Sequence, residues 1–314
     1  DVFLDGTSTE TLWASASRSV EILFGHPFRT PTPEECGMFH AYGAGLRSAS
    51  PTRQVGAALM RGGDILALGT NEVPRAFGGQ YWEGDTDDGR DYSQNADFTT
   101  RVAYEILSDI LARLGRANWL RPERTGPVDE LVDEAVRTGL LEPKPVCPRD
   151  PPSLADRALL LGLIEFKREM HAEMAALISA ARRGVPVDQG LLFSTAFPCH
   201  ECARHIVGAG IRRVYFIEPY PKSRVTEMYR DSIAIDHEDA SRVSFRAFTG
   251  IAPRLYATVF EMPPRRDAFG NLLEWESSRG RALPRRRERT FGPGERDLLE
   301  SLQRALDTTL RPDA

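Results

Sequence analysis

The sequence predicts an α/β fold. In its second half, short apolar runs typical of strands alternate with amphipathic stretches typical of helices, a pattern that favours parallel strands joined by helices. Nearer the start, two apolar runs flank a Gly-containing turn and indicate a β-hairpin. Apolar residues make up 41% and charged residues 27% of the 314 residues, which is the ordinary balance of a globular protein.

Residues 1–50 are predicted to form a helical segment that packs on the core. Apolar residues recur at helical spacing around Trp13 and Val20, and again from Met38 to Leu46. The Pro-Thr-Pro-Glu-Glu run at 31–35 separates two helices and supplies a start signal for the second.

Residues 51–262 are predicted to form one domain. A helix is expected over 199–207, and the periodic pattern over 154–183 predicts another. The strands are expected at residues 54–60, 65–69, 191–194, 214–217 and 243–248.

An insertion at about residues 75–155 interrupts this domain. Its first part, as far as about Arg101, is rich in Gly, Asp and aromatic residues without periodicity, and is expected to be a long irregular loop. Helices are expected through 102–114 and near 131–141. After Met262 comes an Arg- and Pro-rich tail, residues 263–314, which is predicted to end in a short helix over 295–306.

The composition argues against several classes of protein. No run approaches the roughly 20 uninterrupted apolar residues of a membrane-spanning helix, and the first six residues lack the pattern of a secretory signal, so we expect a cytoplasmic protein without a membrane partner. Four cysteines are too few for a disulfide framework. A net charge of -5 argues against a broad phosphate-binding face.

Two short motifs carry the chemistry. Residues 171–173 form an H-x-E motif and residues 198–202 form a P-C-x-x-C motif, which together are the signature of zinc-dependent deaminases. One imidazole and two thiolates fill three positions of a tetrahedral Zn²⁺ ion and leave the fourth for water. The sequence therefore predicts a zinc site held by His171, Cys199 and Cys202.

Glu173 is predicted to be the catalytic proton shuttle. Hydrolysis at an amine-bearing ring carbon needs a group that takes the proton of water, protonates the ring nitrogen and delivers a proton to the leaving ammonia. Cys199 and Cys202 are expected in the first turn of a helix, where the dipole and free N–H groups stabilise thiolates. The alternatives are a structural zinc site closed by a residue such as His205, and a redox role for the two cysteines.

Further stretches carry a resemblance to a known family. They are residues 54–58 (Gln-Val-Gly-Ala-Ala), 69–74 (Gly-Thr-Asn-Glu-Val-Pro) and 202–211. In these stretches the chain resembles the deoxycytidylate deaminase branch of the cytidine deaminase superfamily. Residues 23–28, 78–82 and 218–223 are similar to bacterial anti-phage dCTP deaminases, so the resemblance covers roughly residues 20–260.

This resemblance implies a three-layer α/β/α sandwich with a central five-stranded mixed sheet. It also implies deamination of dCTP, dCMP or both, giving deoxyuridine nucleotides and ammonia, with depletion of dCTP starving phage replication. A homo-oligomer is expected, and an inhibitory RNA or a phage-derived trigger is a further candidate partner. Many members carry a nucleoside-kinase-like P-loop domain, and this sequence contains no G-x-x-x-x-G-K-[ST] motif.

The resemblance also suggests substrate contacts. By position, Asn71 looks like the family's sugar-binding asparagine, Glu72 is expected to line the same pocket, and the backbone of Ala172 is expected to meet the base. Arg53 and Lys222 are candidates for contacting phosphates.

Arg75 and Arg90, on the long loop, are further candidates for phosphate contacts. Two other functions stay open: a cytosine deaminase that edits single-stranded DNA or RNA, and a binding protein with an inactive site. The acidic net charge favours the nucleotide enzyme over the editor.

Overall fold

The computed structural model describes residues 2–94, 98–121, 126–137, 158, 160, 163–261 and 265–275. The chain divides into two compact units, residues 1–15 with 30–256 and residues 16–29 with 257–314. This division does not follow the expected boundaries after residues 50 and 262, which stay predictions. None of the described helices is both long and apolar enough to span a membrane.

The described residues contain eight strands and nine helices. The strands are β1 (Val2–Phe3), β2 (Gly56–Arg61), β3 (Asp64–Thr70), β4 (Leu191–Ala196), β5 (Arg213–Glu218), β6 (Ile233–Ile235), β7 (Val243–Ala247) and β8 (Gly250–Ile251). The helices are α1 (Thr9–Leu23), α2 (Pro33–Gly45), α3 (Asp91–Gln94), α4 (Phe98–Arg116), α5 (Val128–Arg137), α6 (Ala172–Arg182), α7 (His200–Gly208), α8 (Val225–Met228) and α9 (Pro253–Phe260).

Six strands form the central sheet, in the order β3-β2-β4-β5-β7-β6. The predicted hairpin is confirmed, since β2 pairs antiparallel with β3. Strand β2 also pairs antiparallel with β4. The expected parallel arrangement is also confirmed, because β4, β5, β7 and β6 all pair parallel. The expectation of five strands is corrected by β6, whose three residues pair with β7 at the edge of the sheet. A separate two-stranded sheet pairs β1 with β8.

Helices cover both faces of the central sheet. Along β2, Ala57 and Leu59 belong to a core cluster that includes residues of α6 and α7. The alternate residues Ala58 and Met60 belong to a second cluster, with residues of α2 and with Phe193 of β4. Because successive side chains of a strand point to opposite faces, these clusters are the two interfaces of a three-layer α/β/α sandwich.

The predicted helix over 154–183 is wrong in its described N-terminal part. Helix α6 begins only at Ala172, and residues 163–171 are not helical. Met170 instead forms a β-bridge with Glu72, in which their backbone groups exchange hydrogen bonds of 3.1 and 3.3 Å. A helical pattern is a weak preference, and this tertiary pairing overrides it.

The insertion follows its prediction in part. Residues 74–90 contain no helix, but the irregular loop expected as far as about Arg101 is interrupted by α3 and by the start of α4; α4 covers the first predicted helix, and α5 overlaps the described part of the second. Most of residues 138–162 lies outside the described residues, as does the predicted helix over 295–306.

The second compact unit contains a tight turn around Asp267. An isolated bridge pairs Arg266 with Leu272, and the side chain of Asp267 accepts hydrogen bonds from the turn. The Arg265 guanidinium donates a 2.8 Å hydrogen bond to the carbonyl of Pro27, and the ring of Trp275 lies 4.9 Å from that of His26.

Helix α6 lies unusually close to strand β3. A Cβ atom added at Gly69 would fall well inside van der Waals distance of the Ala172 carbonyl oxygen and the Ala176 amide nitrogen. The buried side of α6 is rich in alanine, with Ala172, Ala175, Ala176 and Ala180 all buried. Small residues on both partners therefore set the depth at which the helix sits on the sheet.

We predict that Gly69→Ala destabilises the protein and displaces α6. Overpacking of this kind costs about 1–3 kcal/mol, so the denaturant midpoint should fall clearly. The matched control is Gly43→Ala, because Gly43 is in helix α2 with open space around its Cβ position. That control should be neutral or slightly stabilising, since alanine is the better helix former. Equal midpoints for the two variants would contradict the close packing described here.

Candidate active site and metal centre

The candidate site lies where α6 and α7 begin. His171 is the N-cap of α6 and Cys199 is the N-cap of α7, and both have extended backbone angles. Cys202 follows in the first turn of α7, as the sequence predicts. The connection from β4 into α7 is fixed by the Phe197 amide, which donates a 2.7 Å hydrogen bond to the Glu218 carbonyl. The fold thus brings two helix N-termini together at one edge of the sheet.

The side chains of the two motifs converge. His171 Nδ1 lies 3.2 Å from Cys199 Sγ and 3.4 Å from Cys202 Sγ. The Cys202 amide donates a 3.4 Å hydrogen bond to Cys199 Sγ, so the thiol sulfur caps its own helix. The three ligand atoms all lie within 4.8 Å of one another.

This donor set fits zinc. One imidazole nitrogen and two sulfurs are ligands that Zn²⁺ prefers, and three protein ligands are the number found at catalytic zinc sites. Among the described residues, no fourth His, Cys, Asp or Glu joins the cluster. His205 is exposed, with its ring beside the Arg204 guanidinium, so it does not close the site in this structure.

The thiols and the imidazole share protons unequally. The hydrogen bond from the Cys202 thiol, aided by His171, lowers the pKa of Cys199 to about 4 against the effect of burial. The same bond to Cys199, followed by burial, raises the pKa of Cys202. Burial acts to lower the pKa of His171, but the hydrogen bond and charge of Cys199 raise it overall. A divalent cation would let both thiols ionise, since its charge offsets theirs.

Glu173 lies beside this cluster and is almost fully buried, with 4% of its surface exposed. Its Oε2 atom lies 3.5 Å from Cys202 Sγ, and Ser194 Oγ donates a 3.3 Å hydrogen bond to its Oε1 atom. Burial raises the pKa of Glu173 above the ordinary value, because an isolated carboxylate is poorly stabilised away from water. The carboxyl group is therefore held at a fixed place beside the metal ligands.

A cavity opens in front of these residues. It contains about 500 Å³ of empty space, counting its solvent-open mouth. Its lining residues are Thr52, Arg53, Val55, Asn71, Lys167, Glu169, His171, Ala172, Glu173, Ala196, Phe197, Cys199 and Tyr220.

Three of the five predicted substrate contacts line this cavity: Asn71, Ala172 and Arg53. The Asn71 side chain accepts a 2.7 Å hydrogen bond from the Val55 amide and donates a 2.6 Å hydrogen bond to the Arg53 carbonyl. The amide of Asn71 thus fixes the loop before β2. Ala172, fully buried, presents the start of α6 to the cavity.

The other two predicted contacts, Glu72 and Lys222, are not among the lining residues. Glu72 is fully buried behind the wall, where its carboxylate accepts hydrogen bonds from the amides of Ala49 at 3.0 Å and Val73 at 2.9 Å. Its charge stabilises backbone donors instead of facing a ligand. Lys222 follows β5 in the chain, and its expected contact with phosphate, like that of Glu72 with the substrate, stays a prediction.

Arg75 and Arg90 also lie away from this cavity. Arg75 pairs with Asp85 at 3.3 Å. The buried Arg90 side chain pairs with Asp88 at 2.7 Å, within the same loop. Both arginines therefore stabilise the loop that carries them.

Several residues that line the cavity were not predicted from the sequence, above all Lys167, Glu169 and Tyr220. Glu169 is buried, its carboxylate accepts a 2.9 Å hydrogen bond from the Ser50 hydroxyl, and burial raises its pKa. Burial likewise raises the pKa of Tyr220. Lys167 and Glu169 precede His171 by only four and two residues, and this nearness was the signal that could have identified them.

Residues 32–218 match the family model described as the cytidine and deoxycytidylate deaminase zinc-binding region. The match covers more than half of the chain and includes both motifs. The chain belongs to this family. Its six-stranded sheet, with helices on both sides, is accordingly the cytidine-deaminase-like α/β fold, and the cluster of His171, Cys199 and Cys202 lies in the zinc-binding region of that fold.

Individual relatives match shorter segments. The chain is 30% identical over 105 residues to ComE operon protein 2 of Bacillus subtilis (strain 168), which covers 30% of this chain and 56% of that protein. It is 36% identical over 58 residues to the deoxycytidylate deaminase of Enterobacteria phage T2, which covers 18% of this chain and 31% of that protein. The matched segments thus span less than two thirds of either relative.

Among solved structures, the dCMP deaminase of cyanophage S-TIM5, in complex with dCMP and dUMP, aligns with 70% of this chain and 99% of its own. The sequence identity is 17% and the TM-score is 0.36.

We predict that the purified protein binds about one zinc ion per chain through the three ligands. Zinc content after dialysis, measured by inductively coupled plasma mass spectrometry, should fall sharply in His171→Ala, Cys199→Ser and Cys202→Ser. The matched control is Cys36→Ser, since Cys36 is a half-buried free thiol outside the cluster. Full zinc content in the ligand variants, or a loss in the control, would overturn the assignment.

Proposed function

We propose that this protein catalyses the hydrolytic, zinc-dependent deamination of deoxycytidine nucleotides, dCMP, dCTP or both, to deoxyuridine nucleotides and ammonia. The observation that carries the proposal is the convergence of His171, Cys199 and Cys202 with the buried carboxyl group of Glu173 at the cavity, which His171, Glu173 and Cys199 line. Family membership and the partial likeness to a phage deoxycytidylate deaminase support cytosine as the base.

In this proposal, His171, Cys199 and Cys202 hold Zn²⁺, which supplies the Lewis acidity that makes water a nucleophile at neutral pH. Glu173 takes a proton from the attacking water and passes it to the ring nitrogen N3 as the C4–O bond forms. Glu173 then transfers the second proton to the amino group as the C4–N bond breaks and ammonia leaves. The carboxyl group ends in the protonation state in which it began.

The remaining cavity residues position the substrate in this proposal. The first turn of α6, beginning at Ala172, offers backbone N–H groups that no helical carbonyl uses, and these are suited to a base edge. Asn71, whose amide is already oriented by the backbone of Arg53 and Val55, contacts the sugar. The Arg53 guanidinium is a candidate for contacting phosphate.

The biological part of the proposal rests on the family resemblance alone. Conversion of dCTP, directly or through dCMP, would deplete a precursor of DNA synthesis and so oppose phage replication. A homo-oligomeric assembly, and control by an inhibitory RNA or a phage-derived trigger, belong to the same part of the proposal.

We predict that the zinc-loaded protein releases ammonia from dCMP or dCTP and converts each to its deoxyuridine product. Matched reactions contain dCTP, dCMP, deoxycytidine and a single-stranded cytosine-containing oligonucleotide, with chromatography of the products and an ammonia assay. Glu173→Ala and Glu173→Gln should lose about 100-fold or more in kcat, because general acid–base catalysis typically contributes that much. Both variants should keep their zinc.

The substrate series separates the alternatives. Conversion of a mononucleotide that disappears in both Glu173 variants supports the nucleotide deaminase. Conversion of the oligonucleotide alone would overturn that proposal in favour of a polynucleotide editor. A zinc-loaded protein that converts none of the four substrates would also contradict it.

We further predict that Ser194 positions the catalytic carboxyl group. Ser194 is fully buried on β4, and its hydroxyl donates to Glu173 Oε1, so Ser194→Ala leaves that oxygen without this donor. Hydrogen bonds to charged groups contribute about 1.5–3 kcal/mol, so kcat should fall by about 10-fold. KM should change little, since Ser194 is not among the residues that line the cavity.

Two variants test this reading of Ser194. Ser194→Thr retains a hydroxyl and should recover most of the lost kcat. Ser244→Ala removes another buried serine hydroxyl. Ser244 lies on β7 and donates to the His237 carbonyl, so this variant should leave kcat unchanged. A wild-type kcat in Ser194→Ala would show that the hydrogen bond plays no part in catalysis.

A further inference from the structure

Burial defines a floor and a mouth in the candidate cavity. Glu173, Ala172 and Cys199 are buried, with at most 4% of their surfaces exposed, and they form the floor. Thr52 and Lys167 are exposed and form part of the mouth. The proposed chemistry lies at the floor, so a nucleotide must enter with its base first. Its phosphate group then lies at the mouth.

Two cationic side chains line the mouth, but only one is already neutralised. Arg53 forms an ion pair with Glu218. Lys167 has no ion-pair or hydrogen-bond partner among the residues that the structure describes. An arginine must give up or share its carboxylate to bind phosphate, whereas Lys167 loses no such partner.

The other candidate cations either have partners of their own or do not line the cavity. Arg168, next in the chain, donates a 2.9 Å hydrogen bond to Asp91 and a 3.0 Å hydrogen bond to the Gly89 carbonyl, which directs it towards the insertion. Arg75 and Arg90 pair within their own loop, and Lys222 is not among the lining residues. Among the described residues, Lys167 is therefore the cation best placed to bind an anion at the mouth.

From this geometry we propose that Lys167 is the residue that binds the substrate phosphate, and that it makes the site selective for nucleotides over nucleosides. This inference rests on the proposed function, because it places the base at the zinc end of the cavity. The ligand chemistry is a phosphate monoester or a 5′-polyphosphate.

Glu169 is the acidic residue nearest to Lys167 in the chain that also lines the cavity, so Lys167 could instead serve as its counter-ion. Its carboxylate is buried and accepts the Ser50 hydroxyl; burial raises its pKa, and the charge of Lys167 acts in the opposite direction without an ion pair between the two. A phosphate beside Glu169 would be repelled, so the favourable position for the phosphate lies on the Lys167 side of the mouth. The two side chains thus place a positive charge on one side of the opening and a carboxyl group on the other.

The test compares dCMP with deoxycytidine, which differ by the phosphate alone. In zinc-loaded Lys167→Met, kcat/KM for dCMP should fall by about 10- to 100-fold, mainly through KM, because one charge-assisted hydrogen bond is lost. The value for deoxycytidine should stay within about 2-fold, since no phosphate contact exists to lose. Lys167→Arg should restore most of the dCMP activity.

The matched control is Arg61→Met, which removes one positive charge from the opposite end of β2, where Arg61 pairs with Asp188. It should leave both substrates unaffected. A binding readout complements the kinetics: calorimetry with dCMP on Glu173→Ala, with and without Lys167→Met, should show a similar 10- to 100-fold loss of affinity.

The outcomes separate this inference from the proposed function. Equal losses for dCMP and deoxycytidine, or an equal effect of Arg61→Met, would overturn the role of Lys167 while leaving the deaminase intact. Absence of turnover in the wild type would overturn the deaminase, and calorimetry would still decide whether Lys167 binds the phosphate of dCMP. Unchanged dCMP affinity in the Lys167→Met background would refute the inference outright.

Discussion

The position of helix α6 against strand β3 determines the geometry of the whole candidate site. Helix α6 carries His171 as its N-cap and Glu173 in its first turn, and its backbone lies directly against Gly69. A side chain at residue 69 would push the helix outward and carry a metal ligand and the carboxyl group with it. The second pair of ligands is fixed independently, because Cys199 and Cys202 begin the helix that leaves β4. The site is therefore assembled from two rigid helix starts on one sheet, which suits chemistry that needs close placement.

The electrostatics of the site follow from the full or partial burial of four titratable groups, namely His171, Glu173, Cys199 and Cys202. Burial alone would leave His171, Glu173 and both thiols largely neutral. For Cys199 the hydrogen bond from the Cys202 thiol, followed by the contact with His171, outweighs burial and lowers the pKa, and the Cys202 amide adds a smaller contribution in the same direction. The hydrogen bond to Cys199, followed by burial, raises the pKa of the neighbouring thiol of Cys202. A divalent cation would favour the ionised form of both thiols, which agrees with the zinc-binding identity of the family region.

The sequence was sufficient for everything that depends on short-range spacing. The H-x-E and P-C-x-x-C motifs predicted the four converging side chains, and the pattern of β4, α7 and β5 predicted their parallel arrangement. It failed where long-range pairing decides the outcome. The bridge between Met170 and Glu72 ended the predicted helix, and the three residues of β6 were too few to give a strand pattern.

The substrate contacts show the same division. Asn71 and Ala172 flank recognisable motifs and do line the cavity, whereas Glu72 and Lys222 do not. Glu72 follows β3, and its carboxylate accepts hydrogen bonds from the amides of Ala49 and Val73, a long-range arrangement that the spacing along the chain does not reveal. Phosphate contacts were hardest to predict, because a cation that binds phosphate and a solvated surface lysine have the same sequence appearance.

With the proposed role of Lys167, the mouth of the cavity would select a charged substrate without a strongly basic surface. The chain is net acidic, and Arg53 at the mouth and Arg168 beside Lys167 in the chain both pair with carboxylates. Against that background, an ammonium group that forms no ion pair among the described residues has a large relative effect on an incoming phosphate. Glu169 adds direction, since its carboxylate disfavours the phosphate on one side of the opening. Selectivity for a nucleotide then depends on how the charges are arranged at the mouth more than on how many of them are positive.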